Sequence, residues 1–183
     1  MEASSVSHVS YDLSWSLVTV PGLRTDGRDL ARTLSAVEAG GATAEMLGLR
    51  PLDGGFELTF VIGRAAREPV LAALARTADR PPAVRCRDDV VRLALHGEGM
   101  RVDARPMPAF HAALMRAGAA TLATATTNWA IEAVCPADAL DRAVRSLCAA
   151  FVVRPVPPAR PPRTGNGAGG RNFGDARPVT ARR

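Results

Sequence analysis

Two hydrophobic periods alternate along this chain, and their succession is written twice. Trp15-Ser16-Leu17-Val18-Thr19-Val20 reads as a strand, and after a loop from Pro21 to Arg28 the apolar residues Leu30, Leu34 and Val37 fall at i, i+4 and i+7 on one helical face. Gly40 and Gly41 supply the helix stop. Residues 42–49 form a second predicted strand and Asp53-Gly54-Gly55 a hairpin turn. Beyond the turn Phe56, Leu58, Phe60 and Ile62 alternate with Glu57, Thr59 and Val61, a strand with one face buried. A helix over about 66–77, carrying Val70, Leu71 and Leu74, and a break at Pro81-Pro82 close the unit.

The order then restarts. Val90-Val91-Arg92-Leu93-Ala94-Leu95 is the strand, His96 to Arg105 the loop, and Pro106 opens a helix whose face carries Phe110 and Leu114. Proline suits the first helical turn, where its missing N–H is not needed. Ala117-Gly118 ends this helix as Ala39-Gly40 ends the first. Strands follow over 119–126 and 128–135, and Leu140, Val144 and Leu147 mark a last helix. Trp15 and Trp129 each begin an apolar strand face, which predicts core packing for both. The repeated order β-α-β-β-α predicts an α+β protein with two antiparallel sheets, each covered on one face by two helices.

Composition adds bounds. At 183 residues and 47% apolar content the chain holds one ordinary domain or two small ones with real cores. No apolar run approaches the roughly 20 residues that span a bilayer, and the start, Met1-Glu2-Ala3-Ser4-Ser5, has neither a basic nor an apolar leader region, so a cytoplasmic address is expected and no membrane partner. Cys86, Cys135 and Cys148 are too widely spaced for a zinc cluster and are expected as free thiols.

The net charge of +5 changes meaning once it is divided. Residues 154–183 hold seven arginines and one acid, a net +6, which leaves −1 for residues 1–153. This Pro, Gly and Arg-rich stretch offers only Phe173 as a large apolar anchor and is expected to be a disordered tail, able to meet nucleic acid only nonspecifically. There is no lysine anywhere, so neither a phosphate-loop lysine nor a Schiff base is available. His8, His96 and His111 lie in no metal-spacing motif, and Gly97-x-Gly99 lacks the third glycine of a dinucleotide fingerprint. No catalytic residues, metal site or cofactor are predicted.

Several segments resemble the regulatory region of aspartokinases, which consists of tandem ACT modules. Residues 90–151 are similar to the second module through Gly97-x-Gly99-Met100, Ala117-Gly118 and the closing Arg142-Ala143-Val144-Arg145-x-Leu147-x-x-x-Phe151. The first module is resembled by Val18-Thr19-Val20-x-Gly22, Ala31-Arg32, Met46 and Phe56-Glu57-Leu58-Thr59-Phe60. The resemblance implies two ferredoxin-like βαββαβ units. The first would span 12–86, and the second 87–153 with 6–11 added as a strand contributed across the chain. It also implies that the chain carries no kinase domain.

The family binds free lysine or threonine between modules, usually at a dimer interface. Carried onto this sequence, the ligand residues are Thr25, Asp26, Gly27 and Arg28 in the first loop and Glu45, Met46 and Leu47 on the following strand, then Asp103, Ala104, Arg105, Thr126, Thr127 and Asn128 in the second unit. A helix N-terminus attracts the ligand carboxylate, and a side-chain carboxylate takes its ammonium group. Where the family places Pro-Gly before each helix, this chain has Gly27-Arg28 and Ala104-Arg105, and Thr43 stands where the family has a ligand-binding asparagine. Two functions follow: a regulatory subunit that binds an amino acid, forms a homodimer and serves a kinase-type catalytic partner, or a scaffold that has lost its ligand and makes contacts through the arginine tail.

Overall fold

The structure, a computed structural model, describes residues 5–77 and 83–157; the expected break at Pro81-Pro82 and most of the expected tail lie outside them. Two sheets, antiparallel but for one edge pair in the second, account for the repeat. One contains β2 (Trp15–Leu23), β3 (Glu45–Leu52), β4 (Gly55–Gly63) and β5 (Arg85–Arg87), in the order β3-β4-β2-β5. The other is built from β1 (Ser5–Asp12), β6 (Val90–Glu98), β7 (Ala123–Thr126), β8 (Ala130–Pro136) and β9 (Pro155–Val156), in the order β7-β8-β6-β1-β9. The N-terminal strand β1 therefore pairs with β6, from Ser5 opposite Glu98 to Asp12 opposite Arg92.

Each sheet buries one face under its own helices. Val18, Val20, Leu58, Phe60 and Ile62 alternate inward and meet Val37 of α1 (Arg28–Ala39) and Val70 and Leu74 of α2 (Arg67–Ala75). In the second sheet Val91, Leu93, Leu95 and Ile131 meet Phe110 and Leu114 of α3 (Pro106–Arg116) and Leu147 of α4 (Leu140–Phe151). The opposite parity of the same strands forms a third cluster, in which Leu17 and Val61 of one sheet pack on Val90 and Val134 of the other. The sheets thus face each other, with the helices outside.

Gly40 shows why the first helix stops where it does. A Cβ there would lie 2.7 Å from the Val70 Cα, so only glycine lets the end of α1 rest on α2.

The structure departs from the expected pattern in five places. The second strand begins at Glu45 rather than 42 and continues to Leu52, with a bulge between Glu45 and Gly48. The strands expected over 119–126 and 128–135 shorten to 123–126 and 130–136. Trp129, expected in the core, is 64% exposed, because it lies in the turn before β8 where its N–H reaches back to Thr127 Oγ1. Strand β5 has no hydrophobic signature; it pairs with Leu17, Val18 and Thr19 although its own sequence is Arg-Cys-Arg. Pro155 and Val156, expected within the disordered tail, instead form a short parallel strand beside Val9 and Ser10, and Val9 N–H donates to the Arg154 carbonyl. The three cysteines are free thiols; burial pushes the Cys135 thiol up to about 11.

Candidate functional site

The loop between β2 and α1 exposes Thr25, Asp26, Gly27 and Arg28. Gly27 takes a left-handed conformation (φ 75°) as the residue preceding α1, a geometry that glycine adopts without strain. No side chain caps the helix. Asp26 instead accepts the Arg28 N–H at 3.1 Å and lies 3.8 Å from the Arg24 guanidinium. Asp29 is held by Arg24 through two side-chain contacts and a backbone N–H, and those bonds keep its carboxyl below the usual carboxylate range. The Arg28 side chain has no ion-pair partner among the described residues. An arginine with no ion-pair partner among the described residues and an exposed Asp26, held by the Arg28 N–H and Arg24, therefore flank the helix N-terminus, where the macrodipole favours an anion.

Glu45, Met46 and Leu47 lie on β3. Met46 has a positive φ of 52° within the bulge, and Leu47 is half exposed. Among the described residues no hydrogen bond or ion pair joins the Thr25–Arg28 loop to Glu45. The Glu45 carboxylate turns instead to the other sheet, where it accepts from Arg92 at 2.7 Å.

The second loop is assembled more tightly. Gly97 N–H donates to the Trp129 carbonyl and Met100 N–H to the Asn128 carbonyl, so the segment before α3 is sewn to the β7–β8 turn. Met100 is buried against this junction. Gly97 is required there, because a Cβ would collide with the Ser5 carbonyl of β1 and the Met100 methyl. Thr127 Oγ1 accepts the Ala130 N–H, and Thr126 pairs with Ile131. Asp103 binds Arg105 in a two-point ion pair, with bonds of 2.9 and 2.8 Å, and also accepts the Arg105 N–H. Pro106 and Pro108 remove two of the N–H groups that the first turn of α3 would otherwise offer. The structure thus brings Asp103, Arg105 and Asn128 to one end of the sheet, with Arg105 already paired to Asp103.

Arg92 was not singled out from the sequence. Its guanidinium bridges Glu45 of one sheet and Glu132 of the other, at 2.7 and 2.8 Å, and lies 4.5 Å from the centre of the Trp15 ring. The signal available was a lone arginine inside the apolar run Val90–Leu95. Beside it Trp15 Nε1–H donates to Asp12 at 2.9 Å. Burial raises the Asp12 carboxyl, but bonds from Ser14 and Trp15 outweigh it and hold the group below the usual range. A cleft of about 190 Å³ opens here, lined by Ser10, Asp12, Trp15, Arg92, His96 and Glu132.

His96 stacks on His8 with ring centroids 4.4 Å apart, and its Nε2 lies 2.8 Å from Ser10 Oγ. Burial, then the neighbouring His8, pull the His96 imidazole below its ordinary value. The folded state therefore resists protonation, so this contribution to stability is present above pH 6.5 and is lost as pH falls through the depressed folded value. His96→Gln should flatten the loss of stability between pH 7 and 5.5, measured as urea midpoints, while leaving the midpoint at pH 8 within the range of a tolerated substitution.

Among the described residues no helix is long and apolar enough to cross a membrane, and no group of three or more His, Cys, Asp or Glu is placed to hold a metal ion. No family model matches the chain, and no curated protein matches it. Solved structures do. The ligand-free regulatory subunit of aspartate kinase from Thermus thermophilus superposes with a TM-score of 0.75 at 21% identity, over 80% of this chain and 99% of that one. The chain has the fold of an aspartate kinase regulatory subunit. A structure of aspartokinase alpha and beta subunits gives a TM-score of 0.74 at 19% identity over 81% of this chain and 100% of the other. Aspartate kinase from Synechocystis gives 0.71 at 15% identity, but there the match covers 28% of the longer chain. The α+β architecture of ferredoxin-like ACT units read from the residues is the architecture found.

Proposed function

We propose that this chain is a non-catalytic regulatory ACT protein that binds an amino acid, lysine, threonine or a relative of these, between modules or at a homodimer interface, and thereby regulates an aspartate-kinase-type partner. The observation that carries the reading is the start of α1. The N-terminus of α1 lies beside the Arg28 guanidinium, which has no ion-pair partner among the described residues and suits a ligand carboxylate, and Asp26 is exposed next to it to take an ammonium group. Near-complete coverage of solved regulatory subunits supports the regulatory role. Exposed Val102 and Trp129 at the end of the second sheet support an interface there.

A second reading is favoured by one observation. Asp103 and Arg105 neutralise each other, and two prolines open α3, so the second loop offers a ligand little. On that reading the second unit is a scaffold and only the first retains a ligand.

Calorimetric titration tests the site. With the amino acid that binds the native chain, Asp26→Ala and Arg28→Ala should each weaken affinity about 10-fold or more, the loss of a charge-assisted bond. Native-like affinity in both variants would remove the first loop from the site.

A further inference from the structure

The four-stranded sheet leaves part of its helix-free face uncovered. Glu57, Thr59 and Val61 share that face, alternating with Leu58 and Phe60 under the helices. Val61 and Leu17 pack on the other sheet. One step along β4, Thr59 lies between Gly48 of β3 and Thr19 of β2, and Thr19 is in turn opposite Arg85 of β5. One step further, Glu57 is opposite Arg50. The Arg50 and Arg85 side chains are 66% and 65% exposed, so the second sheet does not extend over these rows.

The charges on the four strands are Glu45, Arg50, Glu57, Arg85 and Arg87. Glu45 is taken by Arg92 and Arg87 by Asp89. What remains is one carboxylate between two guanidiniums. Arg50 donates to one Glu57 oxygen through Nε and Nη2 at 3.0 and 2.6 Å, and Arg85 to the other through Nη2 at 2.5 Å. Beyond the strand ends, Arg24 is engaged by Asp29, and Asp53 in the β3–β4 turn pairs with neither arginine among the described residues. The patch therefore keeps a surplus positive charge. Arg50 Nη1 and Arg85 Nε and Nη1 have no acceptor among the described residues, and the half-buried hydroxyls of Thr19 and Thr59 make no hydrogen bond there. Guanidinium and hydroxyl donors side by side suit the oxygens of a carboxylate. A sheet face with both cations so exposed does not enclose a small molecule as ligand pockets do, so the fitting occupant is a length of polypeptide laid across it.

We propose that this face docks an acidic segment of a protein partner, whose carboxylates take the unused N–H groups of Arg50 and Arg85 and the hydroxyls of Thr19 and Thr59. In the free chain Glu57 orients the two arginines and competes with the incoming carboxylates for them. The patch shares no residue with the loop before α1, and it stands or falls apart from the amino-acid site.

Nitrogen-resolved NMR of the full chain, titrated with a hexaglutamate peptide, tests this through the Gly48, Thr19 and Thr59 amides and the Arg50 and Arg85 Nε–H resonances. In the native chain these should move together and saturate. Glu57→Gln releases both guanidiniums and should tighten binding about 3-fold or more. Arg50→Gln/Glu57→Gln/Arg85→Gln should weaken it about 10-fold or more, through the loss of charge-assisted bonds. The arginines beyond residue 157 are the same in every variant, so peptide that they take contributes equally to each. A network that only braces the sheet would lower the urea midpoint of Glu57→Gln without tightening peptide binding, and that result would overturn the proposal even if the triple variant did not fold. So would unmoved Gly48, Thr19 and Thr59 amides, or saturation of the same resonances by inorganic phosphate at the peptide's concentration, which would make the patch a site for small anions.

Discussion

Replacing Arg92 by alanine is expected to lower stability by about 2–4 kcal/mol, read as a lower urea midpoint with an unchanged slope. Arg92 is the charged link between the two sheets, and its side chain is 17% exposed against 12% for Glu132. Removing it leaves two carboxylates facing each other across the sheet contact with no cation, and strips the cationic partner from the Trp15 ring. Glu45 is more open, with its side chain 37% exposed, which keeps the expected loss below that of a fully buried pair. The coupling is testable in the same series. Adding Glu132→Gln to Arg92→Ala should recover part of the loss, because the stranded charge is then removed as well. A loss under about 0.5 kcal/mol in Arg92→Ala would mean that the bridge contributes nothing and that the apolar cluster of Leu17, Val61, Val90 and Val134 holds the sheets together alone.

Phe110→Ala is expected to cost about 3–5 kcal/mol, the range for a large buried aromatic side chain cut to a methyl group. Phe110 has no exposed surface and lies in α3 against the second sheet, among Leu93, Leu95, Ile131 and Leu147. Its loss should fall on the second unit, since the first has a separate core around Phe60. Hydrogen exchange would then show β6 and β8 amides losing protection before those of β2 and β4. Equal loss of protection in both sheets would show that the two cores unfold as one.

These effects also explain what could be read from the residues. The alternation of Phe56 to Ile62 marked a strand, but not one with a single buried face: Leu58, Phe60 and Ile62 lie under the helices, while Val61 is buried against the other sheet. Helices α1, α3 and α4 declared themselves by apolar spacing, and α1 and α3 also by the glycines or proline at their ends. Strand β5 did not, because Arg85 and Arg87 are paired into the sheet by β2 and one of them answers Glu57 of β4, a contact 28 residues away in sequence. Trp129 misled for a related reason. A large apolar residue next to a buried strand looks like its first core position, yet the Thr127 hydroxyl holds the turn that turns it outward.

The candidate site divides the same way. That Thr25–Arg28 and Asp103–Arg105 precede helices was legible, since loops and helix starts are local features. The Asp103–Arg105 pair is two residues apart and equally local. What could not be read was the destination of Glu45, because its partner Arg92 is 47 residues on and reaches it only when the sheets face each other. The reading of Glu45 beside the first loop came from the resemblance, and the geometry gives that carboxylate a different neighbour.

The regulatory reading is tested most directly by a thermal-shift screen of the full chain against the protein amino acids and their close analogues. Saturation with a true effector at 100 times its Kd should add about 2.7 kcal/mol of stability, and therefore a clear rise in Tm with one or two compounds and not with the rest. No rise with any amino acid at millimolar concentration would contradict the account and leave the fold without an effector of this class.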